Sequence, residues 1–300
     1  MCDENTKRDE DAYLKDAGLT RRVFTAGASA ALGATTFPGT VLAASKYAAE
    51  DLREAAVKIA TPDGEVDALF VHPEKGAHAA VIFWPDIHGF RPGHTQMAHM
   101  LAAHGYAVLA ANPYYRTHTG QLFSDDMRFG DPGAWELVEP HYSAFSSQTV
   151  VTDAKAIAAW LDDQKPVNTA RGIGAVGFCM TGSWTLRAAA AVPDRIKAPC
   201  SFHGGGLVTD KADSPHRLAP KITGGALIAI AENDHNREPG AKDVLIKAFE
   251  MADVPAEIEV YADALHGWVP IDSRVYNAQQ SQRAWSRMLA LFDAQLGSSA

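Results

Sequence analysis

The chain has 300 residues, 47% of them hydrophobic and 21% charged, with a formal net charge of −9. That is long and apolar enough for one large core, and the acidic balance gives no electrostatic reason to bind nucleic acid or an anionic membrane surface. Three cysteines, Cys2, Cys179 and Cys200, exclude a disulfide framework, and no C-x-x-C pair points to structural zinc or thioredoxin-like redox chemistry.

Residues 1–19 are polar and charged and are expected to be disordered. Residues 20–44 follow as "TRRVFTAGASAALGATTFPGTVLAA", an arginine pair, a weakly apolar run and a small-residue end. This resembles a twin-arginine export signal, with Thr20-Arg21-Arg22-Val23-Phe24 as its core and cleavage near Ala43 or Ala44. A retained anchor fits less well, because Pro38 and many Gly and Thr residues interrupt a stretch barely long enough to span. The expected location is periplasmic or secreted, reached through the export machinery, with a single domain over residues 45–300.

Within that domain "EVDALFVH" (65–72) alternates with period two and reads as an edge strand. "AAVIFWP" (79–85) is a continuous apolar run, as a buried strand should be. "TQMAHMLAAHGYAVLAANP" reads as a helix ending at Gly105 followed by another buried strand. Residues 117–147, rich in Gly, Ser, Asp and aromatics, form a long insertion of the kind that often serves as a lid. A helix over 148–164, the strands "GIGAVGF" and "APCSFHG", the strand "GALIAIA", a helix over 241–252, the strand "AEIEVY" and a helix over 276–296 complete the chain. Strand and helix alternating in this way predict an α/β fold, a mostly parallel sheet with helices on both faces and its site beyond the strands' carboxyl ends.

At "GAVGFCMTGSW" a strand meets a helix through a sharp turn, with Cys179 at the turn, Gly177 two before it and Gly182 three after. A nucleophile elbow needs small flanking residues there, although Thr181 stands where glycine is usual. Taken alone, the stretch fits a buried structural cysteine equally well. Chain order separates the two readings. Asp234 follows the strand "GALIAIA", and His266 follows "AEIEVY", in the sequence nucleophile, acid, histidine. Cys200, in the apolar run "KAPCSFHG", reads as a small buried hydrophobe. "HGGGL" (203–207) looks like a lipase oxyanion motif but follows the nucleophile, so it reads as a glycine-rich strand exit near the site.

The chain from about residue 55 to 296 resembles the dienelactone hydrolases, α/β-hydrolases with a cysteine nucleophile, through "GFCMTG", "ENDH", "LHGW", "WPDIHGFRPG" and "GYAVLAANPYYR". The resemblance implies an α/β-hydrolase fold and hydrolysis of lactones or esters by Cys179, His266 and Asp234 through an acyl-enzyme. In that mechanism His266 takes the thiol proton and Asp234 orients the imidazole, while the backbone N–H groups of Met180 and Ile87 form the oxyanion hole. It also implies that Asp86 contacts the resting cysteine, against the simpler reading of Asp86 as a loop cap, and that Arg116 binds a substrate carboxylate. A second family arginine is replaced by Pro270. Tyr115 and Trp268 are expected to give the pocket an apolar wall.

No cofactor is expected. Twelve histidines raise the question of a metal, but His94, His99 and His104 are spaced by about 500° of helix rotation, and no H-E-x-x-H occurs. Acyl transfer on the same scaffold, or ligand binding without turnover, are the alternative functions.

Overall fold

The computed structural model describes residues 4–16 and 45–297. Eight strands form one sheet: β1 (Leu52–Thr61), β2 (Gly64–Pro73), β3 (Ala79–Trp84), β4 (Tyr106–Ala111), β5 (Ile173–Phe178), β6 (Ile196–Phe202), β7 (Ala226–Ala231) and β8 (Ala256–Tyr261). Their order across the sheet is β1-β2-β4-β3-β5-β6-β7-β8. The pairs β1–β2 and β2–β4 are antiparallel, and every pair from β4 to β8 is parallel. The strand at 65–72 is therefore not at the edge. β1 holds that place, and its mixed sequence "LREAAVKIAT" is mostly solvent-facing, so it carries little of the apolar signal by which strands are recognised.

The central strands read as unbroken apolar runs because both faces are covered. On β3, Ala80, Ile82 and Trp84 enter one core while Ala79, Val81 and Phe83 enter the other, as a period of two requires. The first core is closed by α4 (Ser147–Asp162), α5 (Gly182–Ala191) and α7 (Ala241–Met251), through Ile157, Leu186 and Phe249. The second is closed by α2 (Pro92–Ala103) and α8 (Ala278–Gln295), through Met97, Leu101, Trp285 and Phe292. Strands running the same way deliver their carboxyl ends to one edge. Asp86, Cys179, His203, Asp234 and His266 all follow strand ends there.

Two segments differ from expectation. The insertion contains a helix, α3 (Ala134–Tyr142), and buries Phe123, Ala134 and Val138 against Ile87, Tyr114, Cys179 and Met180. Residues 4–16, expected to lack structure, form helix α1 (Glu4–Asp16), which lies at the same edge of the sheet. Its Asp9 accepts from Asn233 Nδ2 at 2.8 Å and pairs with Arg237, Glu10 faces Arg274 at 3.6 Å, and Leu14 is buried. Its charged composition mimics a solvated tail, but those charges meet complementary groups on the domain. Arg21, Arg22 and the stretch through Ala44 lie outside the described residues. Among the described residues no helix is long and apolar enough to cross a membrane.

Candidate active site

The turn after β5 is built by sterics. A Cβ at Gly177 would stand 2.2 Å from the Thr181 carbonyl oxygen, and one at Gly182 would stand 2.5 Å from Gly204 Cα. Cys179 itself adopts φ 54°, a left-handed conformation that costs a non-glycine residue energy and is held by its surroundings. Thr181, where glycine is usual, supplies part of that hold. Its fully buried hydroxyl accepts from the Phe178 N–H at 2.9 Å and lies 3.0 Å from the Trp84 carbonyl, tying the turn to the end of β3.

Cys179 is 2% exposed and opens the short helical turn leading into α5. Its sulfur is hydrogen-bonded to the His266 ring. Asp234 stands in the first turn of α6 (Glu232–Arg237), just past β7, and accepts from His266 Nδ1 at 2.6 Å. The His266 main-chain N–H donates to Asn233 Oδ1 at 2.8 Å, which fixes the loop that carries the ring. Burial of His266 works against its charge, but the Asp234 carboxylate and the Cys179 sulfur outweigh it and raise the pKa to about 10. Burial alone would raise Asp234, yet His266 pulls it below the ordinary carboxylate value. The three side chains therefore form one hydrogen-bonded chain in which the charged imidazolium is favoured.

A cleft over this chain is lined by Cys179, His203, His266, Asp86, Ile87, Arg91, Arg128, Phe129, Arg274 and Val275, together with Thr6 and Glu10 of α1. Ile87 and Met180, the residues named for the oxyanion hole, belong to the same buried cluster as Cys179, and Ile87 lines the cleft with it. Tyr114 fixes the Ile87 loop, its hydroxyl donating to the Ile87 carbonyl at 2.6 Å.

Asp86 lines the cleft, but its carboxylate is held by a bidentate fork from Arg91, at 2.7 and 3.0 Å, and by the His88 N–H at 2.9 Å. Arg91 grips Asp272 as well, at 2.7 and 3.1 Å. Asp86 thus clamps its own loop to Arg91. His88 extends the clamp to the insertion, accepting from the Phe129 N–H at 2.8 Å.

Tyr115, Arg116 and Trp268 are not among the residues lining the cleft, so Tyr115 and Trp268 do not form the apolar wall expected of them and Arg116 does not meet a substrate carboxylate there. Arg116 is held by Asp153 and Asp63, each at 2.7 Å, and lies over the Tyr115 ring. The Tyr115 hydroxyl donates to Asp153 at 2.7 Å. Trp268 is fully buried and stacked on Tyr261, behind the cleft. A sequence cannot show that two carboxylates 37 and 53 positions away compete for an arginine.

Cys200 is fully buried and, like Cys179, forms no disulfide; burial pushes its thiol pKa well up. Among the described residues no cluster of three His, Cys, Asp or Glu side chains is arranged to hold a metal. Sequence reasoning missed Tyr114, His88, Arg91, Arg274 and the part played by Thr181. Of these, His88, Arg91, Tyr114 and Thr181 stood within quoted motifs and Arg274 eight positions after His266, but no local pattern announces their partners.

Comparison with known proteins agrees with the fold. A family profile described as the dienelactone hydrolase family matches residues 66–296. A Synechocystis protein provisionally named a carboxymethylenebutenolidase is 24% identical over 253 residues, covering 82% of this chain and 98% of its own. The carboxymethylenebutenolidase of Rhodococcus opacus is 23% identical over 235 residues, covering 77% and 87%. A crystal structure from Klebsiella pneumoniae, provisionally titled a dienelactone hydrolase, superposes with a TM-score of 0.69 at 22% identity, covering 80% of this chain and 98% of that one. With the match spanning most of the domain, the chain belongs to the dienelactone hydrolase family and is a hydrolase of that type on an α/β-hydrolase fold.

Proposed function

We propose that the protein hydrolyses carboxylic esters or lactones through an acyl-enzyme on Cys179, with His266 carrying the proton and Asp234 orienting the imidazole. One observation carries this reading: the buried hydrogen-bonded chain from Asp234 through His266 to Cys179, opening into a cleft. The name carboxymethylenebutenolidase, borne by the Rhodococcus opacus relative, is in keeping with an ester or lactone carbonyl as the group attacked.

The chemistry follows from charge. With the thiol proton on His266, the sulfur is a thiolate, the nucleophilic form. It bonds to the carbonyl carbon, and the oxygen takes up negative charge facing the N–H groups of Met180 and Ile87. The C–O bond then breaks as His266 gives its proton to the leaving oxygen. Water attacks the thioester, passes a proton to His266, and the C–S bond breaks to restore the starting pair.

Acid quenching within the first turnover of 4-nitrophenyl butyrate is expected to leave one butyryl group on the peptide containing Cys179, read by mass spectrometry. A burst of nitrophenol with no acyl group on that peptide contradicts the assignment.

The pH profile tests the histidine separately. On an alkyl ester the leaving oxygen needs a proton from the imidazolium, so kcat/KM is expected to fall as pH rises through about 10. In Asp234→Asn the attraction is gone and burial dominates, so the alkaline limb is expected at clearly lower pH. An unmoved limb removes His266 from the proton path.

A further inference from the structure

His203 is a buried titratable group that the chemistry above leaves without a task. It follows β6 directly and adopts φ 40°, a left-handed conformation, although glycines stand next to it in "HGGGL". Its main-chain N–H donates to the Ala229 carbonyl at 2.8 Å, and the neighbouring Gly205 N–H donates to the Cys179 carbonyl at 3.1 Å. The strand exit and the cysteine turn are therefore held in fixed relation. The His203 ring meets His266 edge-on, with centroids 4.9 Å apart, and lines the cleft beside Cys179.

The side chain is 1% exposed, and neither ring nitrogen has a hydrogen-bond partner in another described residue. Leaving such groups buried and unpaired is costly, and a phenylalanine of similar shape would avoid the cost. Burial and the neighbouring His266 push the ring's pKa down to about 3, so it is neutral at working pH. A neutral imidazole offers one donor and one acceptor. A water in the cleft pairs with whichever of the two nitrogens faces it, as donor or as acceptor.

We propose that His203 holds the water that hydrolyses the acyl-enzyme, presenting it between the His266 ring and the acyl carbon on Cys179. The inference rests on the Cys179 acyl-enzyme reading. His203 is a positioning residue: the water proton passes to His266, the water oxygen bonds to the acyl carbon, and the C–S bond breaks. Acylation needs no water and is independent of it.

Stopped-flow kinetics with 4-nitrophenyl butyrate on the full chain separate the two steps. In His203→Phe the burst rate constant is expected to stay within about twofold of the parent, while steady-state turnover falls about 10²-fold and acyl-Cys179 accumulates. His203→Asn, which keeps a donor and an acceptor, is expected to recover most of the turnover. Hydroxylamine, a stronger nucleophile, is expected to speed release from the Phe variant more than from the parent. If the Phe variant does not fold, His203→Leu takes its place. Equal loss in both steps, or turnover unchanged, overturns the proposal. A parent with no acyl-Cys179 at any time overturns the acyl-enzyme reading and this proposal together.

Discussion

Cys179→Ala is expected to lower kcat/KM on a 4-nitrophenyl ester by about 10⁴-fold or more, leaving the fold intact. The magnitude follows from what the side chain does. Without the sulfur no covalent intermediate forms, and what remains is binding and oxyanion stabilisation acting on water, a residue of catalysis seen when other hydrolase nucleophiles are removed. The fold should survive, because the substitution removes only the sulfur atom from the buried turn. Activity assays beside a thermal melt give the answer. A variant that melts like the parent and hydrolyses the ester as fast means that another group attacks.

Arg91→Met is expected to destabilise the protein by about 3–5 kcal/mol, the usual effect of stripping one partner from a buried ion pair. Arg91 is 8% exposed and is bound by both Asp86 and Asp272 through two forks. Burial opposes ionisation of both carboxylates, yet Arg91 holds each of them below the ordinary value. A depressed folded-state pKa contributes stability above the unfolded value and loses it as pH falls through the folded value. In the variant the two carboxylates face each other uncompensated, and their pKa values rise instead. The stability gap between parent and variant should therefore narrow as pH falls from 7.5 toward 5. Urea denaturation at both pH values measures it, and a gap that is constant or widens on acidification means the arginine acts by packing alone. Adding Asp86→Asn and Asp272→Asn to Arg91→Met should restore part of the loss, since no buried charge is then orphaned.

The ion-pair cluster also shows where reading the sequence stops. Asp86 and Arg91 lie five residues apart, but Asp272 is 181 positions from Arg91, and no local pattern joins them. Tyr114 and Tyr115 are adjacent and alike in type. Only their opposite directions along the chain decide that Tyr114 secures the Ile87 loop while Tyr115 turns to Asp153. Helix α1 was illegible for a related reason. A run such as "ENTKRDEDAYLKD" has too little apolar surface to order itself, and its partners Asn233, Arg237 and Arg274 lie more than two hundred residues away.

By itself the sequence determined the alternation of buried strands and amphipathic helices, the strand-turn-helix around Cys179, and the order Cys179, Asp234, His266 past the ends of three strands. These are local or one-dimensional properties, set by side-chain period, by the size limits at a tight turn and by chain order. The tertiary structure alone decided which polar groups face the cleft and which are spent on one another. It turned Arg116 to Asp153 and Asp63, folded Asp86 into the Arg91 clamp, and left His203 unpaired beside His266. The reason is physical: a buried charge or ring nitrogen takes whatever partner the packing brings within about 3 Å, and that partner comes from anywhere along the chain.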